Sequence, residues 1–214
     1  MTTPAFDLRW LGRIDYLAAL NLQTELVEER RQGSIGDTIL LLEHEPVYTI
    51  GRTRDRSSLR EAESDGLPVV ETNRGGQATY HGPGQLVGYP ILDLNHYGRD
   101  LHLYLRTLED ALIEACGEAG IAADRREGLT GVWVEDRKIA SIGVGVRHWI
   151  SMHGFAINVA ADLGGFAAII PCGIQDVTMT SVEEESAGVW SVPAFAEVVG
   201  AALMRSLGRL RRGF

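Results

Sequence analysis

Cysteine and lysine are the scarcest reactive side chains in this 214-residue sequence. There are two cysteines, Cys116 and Cys172, and one lysine, Lys138, among 20 basic residues. Two cysteines are too few for the disulfide framework of a small secreted protein, and so low a count is typical of a reducing compartment. We therefore predict a cytoplasmic protein, in which Cys172 and Lys138 are the first residues to examine for chemistry.

Long apolar runs and excess positive charge are also missing. The longest apolar runs, such as residues 38–42, are far too short for a membrane span, and the first residues lack the basic and apolar pattern of a signal peptide. The formal net charge of -9 gives no general electrostatic footprint for nucleic acid. A hydrophobic content of 45 % is ordinary for a globular protein. The sequence predicts one domain over residues 1–214 that binds neither membrane nor nucleic acid.

The common motifs for nucleotides and metals are absent as well. No lysine follows the glycine-rich stretch after Arg74, so it does not match the phosphate-binding loop of P-loop enzymes. The segment GVGVR from Gly143 is too short for a dinucleotide fingerprint. A zinc site needs more Cys or His at fitting spacing than His148 and His153 offer. We expect no metal and no cofactor.

The spacing of apolar residues predicts an α+β fold with a mixed β-sheet packed by helices. Cys116 falls on the apolar face of a predicted helix, so we expect it to pack in the core. A T-x-x-E capping box at Thr180 and Glu183 predicts a further helical turn. The predicted helices cover residues 15–32, 101–119, 160–170 and 193–210, a long loop covers 52–65, strands cover 38–42, 47–50 and 68–72, two strands flank the turn at 82–84, and a β-meander covers 131–159.

Cys172 stands in the segment AAIIPCGIQD, between Pro171 and Gly173. Proline fixes its own φ and glycine removes bulk, which suits a sulfur presented on a loop, although a loop cysteine without a role has the same pattern. A Cys–His nucleophile pair, with His81 or His153 as the base, is a further alternative. Lys138 is either a remnant of an arginine-rich composition or a residue that must release a proton, which arginine cannot do.

Five segments together resemble a known family. They are LLLEHEPVYTIGR, RGGQATYHGPGQLVGYPILDL, RKIASIGVGVR, MHGFAINV and PCGIQDVTMTS, in that order along the chain. Each alone is moderately specific, but the ordered set, over about residues 38–182, is similar to the lipoyl(octanoyl) transferases of lipoate biosynthesis. The resemblance implies the fold of the catalytic domain of biotin and lipoate protein ligases.

The resemblance also implies roles for individual residues. Cys172 matches the nucleophile that forms an acyl-thioester, and Lys138 matches the lysine that promotes ionisation of the thiol and acts as acid and base. The segments that match the walls of the acyl site comprise Arg74, Gly75, Gly76, Gln77, Ala78, Thr79, Tyr80, His81, Ser141, Ile142, Gly143, Gly154, Phe155 and Ala156.

The reaction implied by the resemblance moves an octanoyl or lipoyl group from acyl carrier protein to a lysine on a lipoyl domain, the first step of protein lipoylation. The implied acceptors are the lipoyl domains of 2-oxoacid dehydrogenases and the glycine cleavage H protein, and the implied state is a monomer. Three alternatives stay open: an ATP-dependent lipoate or biotin ligase, a thioester hydrolase, and a carrier-binding module without catalysis.

Overall fold

The computed structural model describes residues 6–62 and 66–213, and within them ten strands form two sheets. The strands are β1 (Asp7–Ile14), β2 (Thr38–His44), β3 (Val47–Ile50), β4 (Val69–Glu71), β5 (Thr79–His81), β6 (Gln85–Ile91), β7 (Val132–Val134), β8 (Arg137–Arg147), β9 (Ile150–Asn158) and β10 (Thr178–Met179). The helices are α1 (Tyr16–Arg31), α2 (Leu101–Glu118), α3 (Val182–Glu185) and α4 (Val192–Arg212).

Side-chain caps fix where the helices begin. Asp15 accepts a hydrogen bond from the backbone N–H of Ala18 at the start of α1, and Asp100 does the same for Leu103 at the start of α2. These two starts agree with the predicted helices. The predicted capping box at Thr180 is wrong by one residue, because Ser181 caps α3 by accepting the N–H of Glu184.

The larger sheet has the strand order β1-β2-β6-β9-β8-β10, and β7 also pairs with β8. The pairs β1–β2 and β8–β10 are parallel, and the others in this sheet are antiparallel. The tight turn between β8 and β9 uses His148 and Trp149 with φ of 53° and 63°, the backbone of a type I′ hairpin. The prediction of an α+β fold with a mixed sheet packed by helices is confirmed.

Helices cover both faces of this sheet. Ile39 and Leu41 of β2 join the core beneath α2 and α4, whereas Leu40 and Leu42 join the core beneath α1. Successive side chains of a strand point to opposite faces, so a central strand packed on both faces reads as a continuous apolar run. Cys116 is fully buried in α2 and belongs to the first of these cores, as predicted.

The smaller sheet, β4-β3-β5, carries the loops that build the site. Tyr48 of β3 and Tyr80 of β5 pack with Phe166 in a separate apolar cluster. Phe166 belongs to a 3₁₀ helix, Leu163–Ala168, where the sequence predicted a short helix. The loop predicted over 52–65 contains a 3₁₀ turn, Arg56–Leu59, and residues 63–65 lie outside the described part. In the part described, no helix combines the length and apolar character of a membrane span.

Candidate active site

Cys172 lies at the junction of two cavities. The narrow inner chamber, about 40 Å³, is lined by Tyr16, Arg74, Gly75, Gly76, Thr79, His81, Tyr89, Ser141, Ile142, Gly143, His153, Gly154, Phe155, Ala156 and Cys172. The outer cleft, about 590 Å³, is lined by Arg52, Asn73, Gly75, Gly76, Leu101, Leu105, Gly128, Leu129, Thr130, Lys138, Ile142, Gly143, Val144, Gly145, Val146, Cys172 and Ile174. Cys172 therefore lines both cavities.

The backbone at Cys172 adopts a left-handed conformation, with φ 55° and ψ 18°. Its N–H donates to the carbonyl of Ala78 at 2.9 Å, which ties this loop to the residue before β5. Gly173 also has a positive φ, 71°, and a Cβ there would lie 2.2 Å from Oε1 of Gln77. Strained backbone of this kind persists only when the surroundings hold it, and it is common at functional sites.

The hydroxyl of Ser141 on β8 is the side-chain neighbour of the Cys172 sulfur. The Sγ to Oγ distance is 3.6 Å, and the thiol donates to the hydroxyl. Sulfur is a large, weakly polar atom, so this contact is a weak hydrogen bond for a thiol. It becomes a stronger, charge-assisted bond when the sulfur is ionised and the hydroxyl donates instead.

Lys138 is fully buried on β8, between β7 and β10, and its side chain reaches the outer cleft. Its Nζ donates to the carbonyl of Thr130 at 3.2 Å and lies 5.1 Å from the ring centroid of Trp133. A Cβ on Gly131 would lie 2.9 Å from Cε of Lys138, so the glycine leaves room for the amine. Within residues 6–62 and 66–213, no carboxylate forms an ion pair with Lys138.

Arg74 is the cation of the inner chamber. It is 8 % exposed, and its two terminal nitrogens donate to the carbonyls of Gly75 and Thr49 and to Oγ1 of Thr49, at 2.7–2.9 Å. Burial lowers the pKa of its guanidinium. All three acceptors are uncharged, which is unusual for a buried charge.

The two histidines of the inner chamber are neutral near pH 7. His81 Nδ1 donates to Gln85 Oε1 at 2.7 Å, and His153 Nε2 donates to Asn73 Oδ1 at 2.6 Å. Burial lowers the pKa of His153 to about 4 and that of His81 well below its usual value. Bases this weak are poorly matched to a thiol at neutral pH, which argues against either histidine as the partner of Cys172.

Not all of the predicted wall residues in the segment 74–81 line the inner chamber, because successive side chains of a strand point to opposite faces. Thr79 and His81 line the inner chamber, whereas Tyr80 between them packs against Tyr48 and Phe166 in the smaller sheet's cluster. Gln77 and Ala78 hold the Cys172 loop instead of lining the chamber. Eleven of the predicted wall residues and Cys172 line the chamber: Arg74, Gly75, Gly76, Thr79, His81, Ser141, Ile142, Gly143, Gly154, Phe155 and Ala156.

Three chamber residues were not among the predicted walls: Tyr16, Tyr89 and His153. The Tyr89 hydroxyl donates to Nε2 of His44 at 2.7 Å, and Nδ1 of His44 donates to the carbonyl of Ile14 at 2.9 Å. The Tyr16 ring stacks on His81 with centroids 5.9 Å apart. The sequence could have indicated Tyr89, because a tyrosine within an apolar strand needs a partner for its hydroxyl. Tyr16 is the first residue of a helix, and nothing in the sequence indicates that it lines a cavity.

Comparisons with known proteins identify relatives of this chain. The family model described as "Lipoyl protein ligase A/B catalytic domain" matches residues 15–204. An octanoyltransferase of Syntrophotalea carbinolica is 52 % identical over 178 residues, which are 83 % of this chain and 83 % of that protein. An octanoyltransferase of Mycolicibacterium gilvum is 47 % identical over 218 residues, covering 99 % of this chain and 90 % of that protein.

Solved structures of ligases share the fold. A bipartite lipoate protein ligase from Thermoplasma acidophilum has a TM-score of 0.67 at 17 % identity, covering 97 % of this chain and 84 % of that chain. A biotin protein ligase from Aquifex aeolicus has a TM-score of 0.57 at 17 % identity, covering 96 % and 70 %. Together with the closely similar octanoyltransferases, these matches show that the chain belongs to the lipoyl protein ligase A/B catalytic domain family and, within it, to the octanoyltransferases.

Proposed function

We propose that this protein transfers an octanoyl group from acyl carrier protein to a lysine of a lipoyl domain, through a thioester on Cys172. The observation that carries the proposal is the position of Cys172 between the inner chamber and the outer cleft. The similarity to octanoyltransferases over most of the chain supports the acyl group and the reaction class.

The two cavities suit two different parts of the reactants. The inner chamber takes the alkyl chain. Its walls include the apolar side chains of Ile142 and Phe155 and several glycines. Its open volume of about 40 Å³ is small, so side chains move as the acyl chain enters. The outer cleft, about 590 Å³, has room for the carrier's thiol arm and then for the acceptor lysine.

The first half-reaction transfers the acyl group to the enzyme. The Cys172 thiol gives its proton to the Lys138 amine, and the thiolate attacks the thioester carbonyl of octanoyl-acyl carrier protein. A bond forms between Sγ and the carbonyl carbon, and an oxyanion results. Its collapse breaks the bond to the carrier sulfur, which takes the proton from Lys138 and leaves as a thiol.

The second half-reaction releases the product. The amine of the acceptor lysine attacks the octanoyl-Cys172 carbonyl and forms the carbon–nitrogen bond of the amide. The intermediate collapses by breaking the carbon–sulfur bond, and the proton lost by the nitrogen passes through Lys138 to the sulfur. Cys172 returns as a thiol, and no ATP is consumed because the thioester is already activated.

The site needs no resident metal or prosthetic group for these steps. Among the described residues, no cluster of three or more His, Cys, Asp or Glu is arranged to hold a metal ion. The further parts of the proposal are a cytoplasmic location, a single domain over residues 1–214, and a monomer. The general acceptors are lipoyl domains of 2-oxoacid dehydrogenases and the glycine cleavage H protein.

A transfer assay without ATP tests the proposed function. Octanoyl-acyl carrier protein and a lipoyl domain are mixed with the enzyme, and octanoyl-lipoyl domain is detected by mass. We expect product with the wild type and none with Cys172→Ser. Strict dependence on ATP and free octanoate would favour the ligase, free octanoate as the main product would favour the hydrolase, and unchanged function in Cys172→Ser would favour the carrier-binding module.

A further inference from the structure

Arg74 is a buried cation whose charge no carboxylate neutralises within residues 6–62 and 66–213. Its terminal nitrogens donate to the carbonyls of Gly75 and Thr49 and to the Thr49 hydroxyl. Its Nε is buried and has no hydrogen-bond partner in that same part of the chain. Burying an unpaired charge and leaving a buried donor unsatisfied are both unfavourable, so the arrangement fits a site that an anion completes.

The side chain of Arg74 lies beside two glycines of the inner chamber. A Cβ on Gly143 would lie 3.4 Å from Cδ of Arg74 and 3.7 Å from its Nη1, and a Cβ on Gly76 would lie 3.5 Å from the same Nη1. Gly143 and Gly76 both line the inner chamber and the outer cleft, as Cys172 does. Arg74 and Cys172 therefore line the same chamber.

The charge of Arg74 acts on the groups around the chamber. Burial has the larger effect on the pKa of His153, and the charge of Arg74 lowers it further. Burial raises the pKa of Tyr16, and the charge of Arg74 opposes this rise. Burial has the largest effect on the pKa of Arg74 and lowers it. Negative charge at Tyr16, and next at Cys172, acts in the opposite direction and raises this pKa. Cys172 is the nucleophile proposed above, so the anions formed at this sulfur lie within the field of Arg74.

We propose that Arg74 makes the inner chamber an oxyanion site: its guanidinium stabilises the acyl oxygen that becomes negative at Cys172, and the same site binds the carboxylate of a free medium-chain fatty acid. The inference rests on the proposed function and adds the group that stabilises the intermediate. A preorganised donor in a water-poor site stabilises a developing charge strongly, because it needs no reorganisation during the reaction. No bond to Arg74 forms or breaks.

The assignment separates Arg74 from Lys138. Lys138 and Cys172 both line the outer cleft, where the proposed mechanism places proton transfer. Arg74 stays protonated and does not transfer its proton. The geometry thus gives proton transfer to the outer cleft and charge stabilisation to the inner chamber.

Binding of octanoate and of uncharged octanamide to the Cys172→Ser protein tests the proposal. The serine removes the nucleophilic sulfur but keeps a small polar side chain, and the two probes differ in charge at one end of the same chain. Calorimetric titration gives Kd for each probe in this protein and in versions that also carry Arg74→Lys, Arg74→Gln or Arg205→Gln. Arg205 is the matched control, because it is a surface arginine already paired with Glu114 and Glu118.

We expect octanoate to bind about tenfold or more tightly than octanamide, as for a charge-assisted hydrogen bond. Arg74→Gln should remove that preference, Arg74→Lys should keep part of it, and Arg205→Gln should leave it unchanged. Equal affinities of octanoate and octanamide for the Cys172→Ser protein, in which Arg74 is unchanged, would overturn the proposal. This comparison needs no Arg74 variant, so the result stands even if such a variant fails to fold. A preference that survives Arg74→Gln would overturn it as well.

Single-turnover acylation supplies a second reading in proteins that keep Cys172. We expect Arg74→Gln to slow octanoyl transfer to the sulfur by about 100-fold, with a smaller change in KM for octanoyl-acyl carrier protein. An unchanged acylation rate would overturn the role in stabilising the oxyanion. If the wild type transfers octanoyl groups while both tests fail, only this inference is lost; if the wild type transfers none, the proposed function itself fails.

Discussion

The sulfur of Cys172 lies 3.6 Å from the hydroxyl oxygen of Ser141. This contact joins the strained loop that carries the cysteine to β8, the strand that also carries Lys138. A single strand thus carries both the residue that contacts the nucleophile and the proposed acid–base residue. Ser141 contacts the sulfur of Cys172, and Lys138, three residues before Ser141 on β8, lines the outer cleft.

Removing the Ser141 hydroxyl should slow the formation of the thioester. Ser141→Ala takes away a donor to the thiolate, and we expect the acylation rate to fall about tenfold, as for the loss of a hydrogen bond to a charged group. Stopped-flow or quenched-flow acylation by octanoyl-acyl carrier protein measures this rate. Ser141→Thr keeps a hydroxyl and serves as the control, and an unaffected Ser141→Ala enzyme would show that the contact contributes nothing to catalysis.

Replacing Lys138 should impair proton transfer while the fold is kept. Arginine retains the charge but cannot release a proton, so we expect Lys138→Arg to lower kcat by about 100-fold or more, the usual range for loss of general acid–base catalysis. Lys138→Met removes charge and proton together and should be at least as inactive.

Folding controls are essential for Lys138, because the residue is fully buried against Trp133. Circular dichroism and thermal unfolding of both variants establish that the fold persists. Turnover by Lys138→Arg close to that of the wild type would reduce Lys138 to an electrostatic role and exclude it as the proton carrier.

Phe155 should influence the length of the acyl chain that is accepted. Phe155 lines the inner chamber, and its ring packs on Gly88 so closely that a Cβ on Gly88 would lie 2.1 Å from Cζ of the ring. Phe155→Leu removes part of this wall, and we expect the ratio of kcat/KM for decanoyl over octanoyl carrier protein to rise by about tenfold, the scale of a methylene in an apolar pocket. Gly88→Ala displaces the same ring and should also change this ratio.

A matched change elsewhere in the core separates this effect from general loosening. Phe195 of α4 is fully buried and packs in the core beneath α2 and α4, and it does not line the inner chamber. Phe195→Leu should therefore destabilise the protein without altering the chain-length ratio. A similar change of the ratio in both variants would argue against Phe155 as a length determinant.

Buried histidines should make the protein less stable in mild acid. Burial lowers the pKa of His44 and of His153 to about 4 from 6.5. Between these values the unfolded chain binds more protons than the folded protein, so the free energy of unfolding falls as the pH decreases from about 6.5 toward 4, by up to about 1.4 kcal/mol per pH unit for each histidine.

Urea unfolding at several pH values measures this slope in the wild type and in His44→Gln. The variant lacks one of the titrating groups and should show a shallower dependence over the same pH range. Equal slopes in the two proteins would mean that His44 does not titrate differently in the folded and unfolded states.

Local chemistry explains which features were predictable from the sequence. Asp15 and Asp100 cap helices through their own side chains, so the helix starts could be read directly. At α3, Thr180 and Ser181 are adjacent candidates, and only the chain path decides that Ser181 accepts the N–H of Glu184. The α+β class followed from the helical spacing of apolar residues in α2 and from the continuous apolar run of β2, which is buried on both faces.

The inner chamber depends on contacts that periodicity does not encode. Tyr16 reaches the chamber from α1, and Tyr89 from the middle of β6, because the sheet order places β6 between β2 and β9. Tyr80 points away from the chamber because its neighbours Thr79 and His81 point toward it. The isolated charge of Arg74 was hidden for the same reason: the sequence contains many carboxylates, and only the fold shows that Arg74 pairs with none in the part described.

The central claim is that Cys172 carries the acyl group, and the intact mass of the protein tests it most directly. The wild type and Cys172→Ser are each mixed with octanoyl-acyl carrier protein without ATP, quenched in acid and weighed by mass spectrometry. We predict one added octanoyl group on the wild type, removed by hydroxylamine or by adding a lipoyl domain, and none on Cys172→Ser. Transfer to the lipoyl domain with no adduct on the wild type under any quench would mean direct attack by the acceptor amine and would contradict the account.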